Sequence, residues 1–199
     1  MTTSAPRSAG RPRSQEADTA ILTAALDLLI EVGAEQTSIE QVARRAGVTR
    51  ATVYRRYPDK TALLLRTLQW ALHDNDPAFT GWRDLDHMFE DWGAYLAVPR
   101  LRRLLRRIFS SVDDYPELLT TYHKVNSGRR RAVVREMLLR ARDLGELPAE
   151  LDADVVAEML NAAVINHLVS RPDDESPAEI KAYFMAIMKQ VGHRDRHGG

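Results

Sequence analysis

Ser38-Ile39-Glu40-Gln41-Val42-Ala43-Arg44-Arg45-Ala46-Gly47-Val48-Thr49-Arg50-Ala51-Thr52-Val53-Tyr54-Arg55-Arg56-Tyr57 is the stretch that decides how this chain is read. Two helices that cross steeply need a small residue at the contact, and Ala43 supplies one. The turn between them needs a residue that tolerates positive φ, and Gly47 supplies it. Val42, Ala46, Val48 and Val53 are spaced to fill a small core. Ser38 and Gln41 stand in capping-box spacing ahead of the first helix, and Thr49 is placed to cap the second. The pattern predicts a helix-turn-helix.

In such a unit the second helix enters the major groove and shows its N-terminal residues to base edges. Here those residues are Thr49, Arg50, Ala51 and Thr52, followed by Tyr54, Arg55 and Arg56. Arg50 has the fork to grip a guanine edge, and Ala51 and the Thr52 methyl suit a thymine methyl. Tyr54, Tyr57 and Lys60 suit phosphates, as does Ser38 at a helix N-terminus. Charge agrees with this reading although the chain is neutral overall. Residues 1–66 hold ten Lys/Arg against seven Asp/Glu, and five Arg with no acid fall between Arg44 and Arg56. A helical hairpin used for protein contact is the alternative reading of the same stretch.

The segments Thr37-Ser38-Ile39, Val42-Ala43, Ala46-Gly47-Val48-Thr49, Thr52-Val53-Tyr54, Arg55-Arg56-Tyr57 and Lys60 with Leu63-Leu64 resemble the N-terminal domain of the TetR family. The resemblance covers about residues 15–65. Arg56 and Tyr57 depart from it, standing where His and Phe are frequent. It implies a three-helix DNA-binding domain and an all-helical ligand-binding domain. It also implies a homodimer on double-stranded DNA at a palindromic operator, with repression relieved by a small apolar or aromatic molecule. The third helix would read DNA and the fourth would join the two domains.

Outward from the motif, apolar residues recur at helical spacing almost throughout, and no segment alternates like a strand. An all-α fold is expected: a disordered arm at 1–14, a helix-turn-helix domain at 15–65, a ligand-binding and dimerisation domain at 66–192, and a disordered tail at 193–199. Ile21 to Val32 form a helix that Gly33 stops, and Asp59 caps another running from Lys60 to about His73. Stripes follow from Leu85, from Leu101, from Val155 and from Ile180, with one long helix between Pro116 and Leu144. The last two helices, Asp152–Val169 and Pro177–Val191, are apolar on wide faces and are expected to form the dimer interface.

Within the arm, Gly10-Arg11-Pro12-Arg13 suits a narrow minor groove if extended, with Arg11 and Arg13 as the contacts; a solvated tail is the equal alternative. A ligand pocket is expected among the middle helices, from Trp70, Phe89, Trp92, Phe109, Tyr122, His123, Asn126, Met137 and Asn166. A plain core is the better account of any single aromatic among these, and a satisfied core or dimer-interface position is an equal account of each polar one. The run of five arginines from Arg100 to Arg107 reads most simply as the solvated face of an amphipathic helix. No cysteine is present, which excludes disulfides and thiolate metal sites and suits a reducing cytoplasm. No apolar run reaches the ~18–20 residues of a membrane span, and Met1 to Arg13 lacks the apolar core of a signal peptide. A cytoplasmic protein without membrane contact is expected. No spacing suggests a metal site, a cofactor loop or a nucleophile, so an enzyme is not expected.

Overall fold

The structure, a computed structural model, describes residues 11–74 and 81–194, with side chains at 15–72, 81–125 and 130–194. Helices are its only regular elements among these residues. Four build the head: α1 (Arg11–Gln36), α2 (Ile39–Arg45), α3 (Arg50–Tyr54) and α4 (Lys60–Asp74). The body holds α5 (Leu85–Leu96), α6 (Pro99–Phe109), α7 (Pro116–Tyr122), α8 (Gly128–Asp143), α9 (Ala153–Ser170) and α10 (Pro177–Gln190). A π-helical turn at His123–Ser127 joins α7 to α8. Residues 1–10 and 195–199, most of the expected arm and tail, lie outside the described residues.

The first helix starts at Arg11, well before Ile21. Arg11, Pro12 and Arg13 therefore form a helical turn rather than an extended arm; the side chains of both arginines lie outside the described set. No apolar stripe marks this early part because its anchor is polar: Asp18 accepts a hydrogen bond from the Tyr57 hydroxyl at 2.8 Å. Gly33, at φ 85°, breaks the helical backbone where the sequence places the stop. Its carbonyl then accepts from both the amide (3.2 Å) and the hydroxyl (2.7 Å) of Thr37.

Two apolar cores result, and α1 and α4 serve both. Ile21, Leu22, Ala25 and Leu28 of α1 meet Ile39, Val42, Val53 and Leu63 in the small core. On the other side of α1, Leu26, Leu29, Ile30 and Ala34 meet Leu64, Leu68, Ala71 and Leu72 in the large one. Trp70 packs against both. Head and body are thus joined by continuous helices rather than by a linker.

The arginine run on α6 is a solvated face only in part: Arg100 and Arg103 are exposed, and the other three are turned to neighbouring elements. Arg102 is 1% exposed. Its guanidinium donates to the Leu96 carbonyl (3.3 Å), to His167 Nδ1 (3.2 Å), to the Arg171 and Pro172 carbonyls (3.2 and 3.1 Å) and to Asp173 (3.0 Å). Arg106 also pairs with Asp173, and Arg107 turns the other way to donate to the Ile30 and Glu31 carbonyls of α1. Helical periodicity separates apolar from charged positions but cannot tell a charge in water from one that caps a neighbour's carbonyls.

Since arginine only donates, Nδ1 of the buried His167 accepts, and the ring proton sits on Nε2, 3.0 Å from Glu175 Oε2. Burial, aided by the Arg102 and Arg171 charges and opposed by Glu175, pulls this imidazole below its ordinary value. The folded chain then keeps His167 neutral while the unfolded chain protonates it near pH ~6.5. Stability from this residue is present above that value and lost as pH falls below it. Asp173 adds to the trend lower down: burial raises it, but the hydrogen bonds from Arg102 and Arg106 together outweigh burial and hold it low.

Two outcomes follow for stability. A Cβ built on Gly93 of α5 would lie 2.3 Å from the Pro177 carbonyl oxygen of α10, so Gly93→Ala must push these packed helices apart. It should cost about 1–3 kcal/mol in urea denaturation. Between pH 7 and 5.5 the melting temperature of the wild type should fall, and His167→Gln should melt lower at pH 7 but with a flatter pH profile. An unchanged slope in H167Q would remove His167 from the acid response.

Candidate nucleic-acid interface

The helix-turn-helix forms as its residues dictate. Ser38 caps α2: its Oγ accepts from the Gln41 amide (3.2 Å), and Gln41 Oε1 accepts from the Ser38 amide (2.8 Å). Val42, Ala43 and Val53 are buried, Ala46 and Val48 half-buried. Gly47 adopts φ 66°, with nothing near the position a Cβ would take, so backbone conformation alone demands the glycine. Thr49 caps α3 by accepting from the Thr52 amide at 3.2 Å, and the two threonine hydroxyls share a hydrogen bond of 2.9 Å. Asp59 accepts from the Ala62 amide at 2.7 Å to start α4.

The expected contact residues divide into two groups. Arg50, Ala51, Tyr54 and Arg55 project from α3 into solvent. Tyr54 is 47% exposed, a large aromatic ring left outside both cores. Arg50 pairs with Glu40 of α2 at 2.6 Å. That pair is open to water and weak enough to exchange for a stronger anion. Arg44, on α2, is exposed as well and extends the basic surface.

The second group has polar partners within the protein. Tyr57 is 7% exposed, and its hydroxyl is committed to Asp18. Burial first, then that hydrogen bond, push the phenol above its ordinary range. Arg56 lies 3.6 Å from the same carboxylate and donates to the Thr52 carbonyl at 3.2 Å. Lys60 donates to the Ala34 and Glu35 carbonyls, each at 3.0 Å, and its ammonium stands 5.1 Å from the Tyr115 ring centroid. Lys60 therefore caps the end of α1. Ser38 and Thr49 spend their hydroxyls on capping.

A cavity of about 240 Å³ lies in the body between α5, the π turn, α8 and α9. Of the residues expected at a ligand pocket, Trp92, Tyr122 and His123 line it. Trp70, Phe89, Phe109, Met137 and Asn166 do not. Phe89 is fully buried, stacked at 5.7 Å on Phe184 and edge-on to Trp92 at 5.5 Å. Phe109 packs edge-on to Tyr122 at 5.6 Å, and Met137 sits in the large core. Asn166 is exposed on α9, 3.4 Å from the Tyr183 hydroxyl. The side chain of Asn126 lies outside the described set. Tyr95, Arg130 and Asn161 are further wall residues. In the sequence Asn161 and Arg130 stand out as polar residues on otherwise apolar helical stripes. The π turn adds a residue to one turn, so a single helical phase drawn through 116–144 misplaces side chains after His123.

Among the described residues no group of three or more His, Asp or Glu is placed to hold a metal. No described helix is long and apolar enough to cross a membrane.

Known proteins agree with this arrangement. Residues 21–67 match the family described as "Bacterial regulatory proteins, tetR family", and residues 80–187 match "Tetracyclin repressor-like, C-terminal domain". The HTH-type transcriptional regulator EthR of Mycobacterium tuberculosis is 30% identical, over 93% of this chain and 89% of its own. YdeS of Bacillus subtilis, an HTH-type transcriptional regulator, is 25% identical over 92% and 93%. In fold, the chain resembles the structure of a Mesorhizobium loti protein assigned to the same family, with TM-score 0.71, 20% identity and coverage of 91% and 97%. It also resembles Salmonella enterica GusR, with TM-score 0.66, 21% identity and coverage of 93% and 97%. Both sequence relatives carry the name of HTH-type transcriptional regulators, not of enzymes. With both its head and its body matched, this chain belongs to the TetR family of DNA-binding transcriptional regulators.

Proposed function

We propose that the chain is a homodimeric, ligand-responsive repressor that leaves a palindromic operator when a small apolar or aromatic molecule enters the body. The observation that carries the DNA-reading part is the exposed face of α3. Arg50, Ala51, Tyr54 and Arg55 stand outward while Val53 alone anchors the helix in the core. Arg50 and Ala51 are the base-reading pair, and Tyr54, Arg55 and Arg44 contact phosphates.

The dimer is supported by α9. Val155, Met159 and Val169 are 55%, 45% and 67% exposed, with Ala162 and Asn166 between them on the same outward side. A stripe of this kind on one of the last two helices is suited to a second copy in a four-helix interface. Ligand control is supported by the route from the cavity to the head. Tyr122 and His123 form its wall at the end of α7 and the start of the π turn, and both elements pack on α4. A ligand that prefers one placement of this wall biases α4, and with it the spacing of two heads.

Selection from random duplex DNA at defined salt should recover a palindrome; enrichment of no sequence would sink the DNA-reading claim. Against the recovered site, Arg50→Ala should weaken binding by about 1–3 kcal/mol and relax the preference at one base pair. Tyr57→Phe should instead lower the melting temperature and leave the salt dependence of binding unchanged. In light scattering at micromolar concentration the wild type should have a dimeric mass and the double variant Val155→Glu, Met159→Glu a monomeric one. A dimeric double variant would place the interface elsewhere.

A further inference from the structure

The helix whose face stands out to solvent is short and thinly held. α3 runs for five residues, Arg50–Tyr54, and Val53 is its one buried side chain. Its N-terminal cap is made within its own segment, by Thr49 on the Thr52 amide. A helix of roughly one and a half turns, pinned at one buried point, can swivel about that point. Recognition needs its side chains held to within about 0.5 Å and 10–20°. A tie from outside α3 must therefore set its angle.

The two residues that follow the end of α3 supply one. Tyr57 is buried in the small core, and its hydroxyl donates to Asp18 Oδ1 at 2.8 Å, 39 residues away in sequence. Arg56 donates to the Thr52 carbonyl of α3 at 3.2 Å, and its Nε stands 3.6 Å from the same Asp18 oxygen. One carboxylate on α1 thus meets the last turn of α3 through two neighbouring side chains. Asp18 also lies where α1 buries nothing: none of the side chains at 15–20 is buried. Apolar packing does not account for this part of the helix, and the contact with Tyr57 and Arg56 does. Charge excludes a direct part in binding phosphates, which repel a carboxylate, so Asp18 acts through the residues it holds.

We propose that Asp18 is a positioning residue for DNA recognition, fixing the angle of α3 on α1 through the Tyr57 hydroxyl and the Arg56 guanidinium. An ionised acceptor makes these bonds stronger than neutral ones. Arg56, which also holds the Thr52 carbonyl, carries the end of α3 with it. The inference rests on α3 being the helix that reads DNA and names what holds that helix at its reading angle.

Affinity of the full chain for the selected operator and for a scrambled duplex, each followed against salt, tests it. Asp18→Ala should weaken operator binding by about tenfold. Binding to the scrambled duplex should be no weaker, and the salt slope should not change, because no phosphate contact is lost. Asp18→Asn, which keeps an acceptor for the tyrosine, should restore part of the loss. Adding Tyr57→Phe to Asp18→Ala should cost nothing further, since both changes break the same bond. Melting curves establish that each variant is folded at the temperature of the assay. If Asp18→Ala is not, then Asp18→Asn and Tyr57→Phe decide, each with an expected loss of about threefold. A folded Asp18→Ala protein with wild-type operator affinity would make Asp18 merely structural and overturn the inference. An equal gain or an equal loss on both duplexes would overturn it too. Arg50→Ala separates the two readings. If it loses operator affinity while Asp18→Ala keeps it, the inference alone fails; if neither loses affinity, the reading of α3 fails with it.

Discussion

A helix that ends inside a protein leaves its last carbonyls in need of donors, and the end of α1 is where this need shapes the molecule. At Gly33 the helical backbone of α1 is interrupted, and the carbonyls on either side of it lie at the junction of head and body. Arg107 reaches them from α6, meeting Ile30 and Glu31. Lys60 reaches them from the first turn of α4, meeting Ala34 and Glu35. One helix end is therefore held by a body residue and by the helix that leads from the motif into the body. The positive charges also suit the negative end of the helix dipole. Displacing α6 or α4 relative to α1 breaks charge-assisted hydrogen bonds, so the head cannot drift independently of the body.

That constraint gives the shared cores their meaning. Because α1 and α4 each bury residues on two sides, a change in one core is felt in the other without a hinge between them. The body, in turn, is closed by two tight fittings. Gly93 lets α5 and α10 approach to backbone contact, and Arg102 fastens α6 to the segment linking α9 and α10. The cavity sits between α5, α8 and α9, close to these fixed points but walled on one side by the π turn. Helices line most of the cavity, and one irregular turn lines the rest.

Much of this was legible in the residues, for specific reasons. Caps, glycines and apolar spacing are local, and Ser38, Gly47, Thr49 and Asp59 behave as local rules require. The split of the contact residues was not legible. Tyr57, Arg56 and Lys60 look like DNA contacts from composition, yet their partners are Asp18 and the carbonyls of Ala34 and Glu35, far away in sequence. The arginines of α6 were hidden in the same way. Long-range polar partners have no period, so a basic residue that caps a distant helix and one that awaits a phosphate read alike. The π turn is a different case: it shifts the phase of everything after it, and no residue type announces it.

The uneven placement of charge along a neutral chain has one more consequence. Residues 1–66 carry ten basic and seven acidic side chains, and the remaining chain carries eighteen basic and twenty-one acidic. The protein is thus an electric dipole with its positive pole at the head. Near a polyanion such a molecule feels a torque before it feels a net pull, since the total charge is zero. It arrives turned head-first, with the body held away from the duplex, and fewer encounters are lost to docking the wrong way round. The effect acts within about a Debye length, ~8 Å at physiological ionic strength, so it orients the last step of approach and not the search.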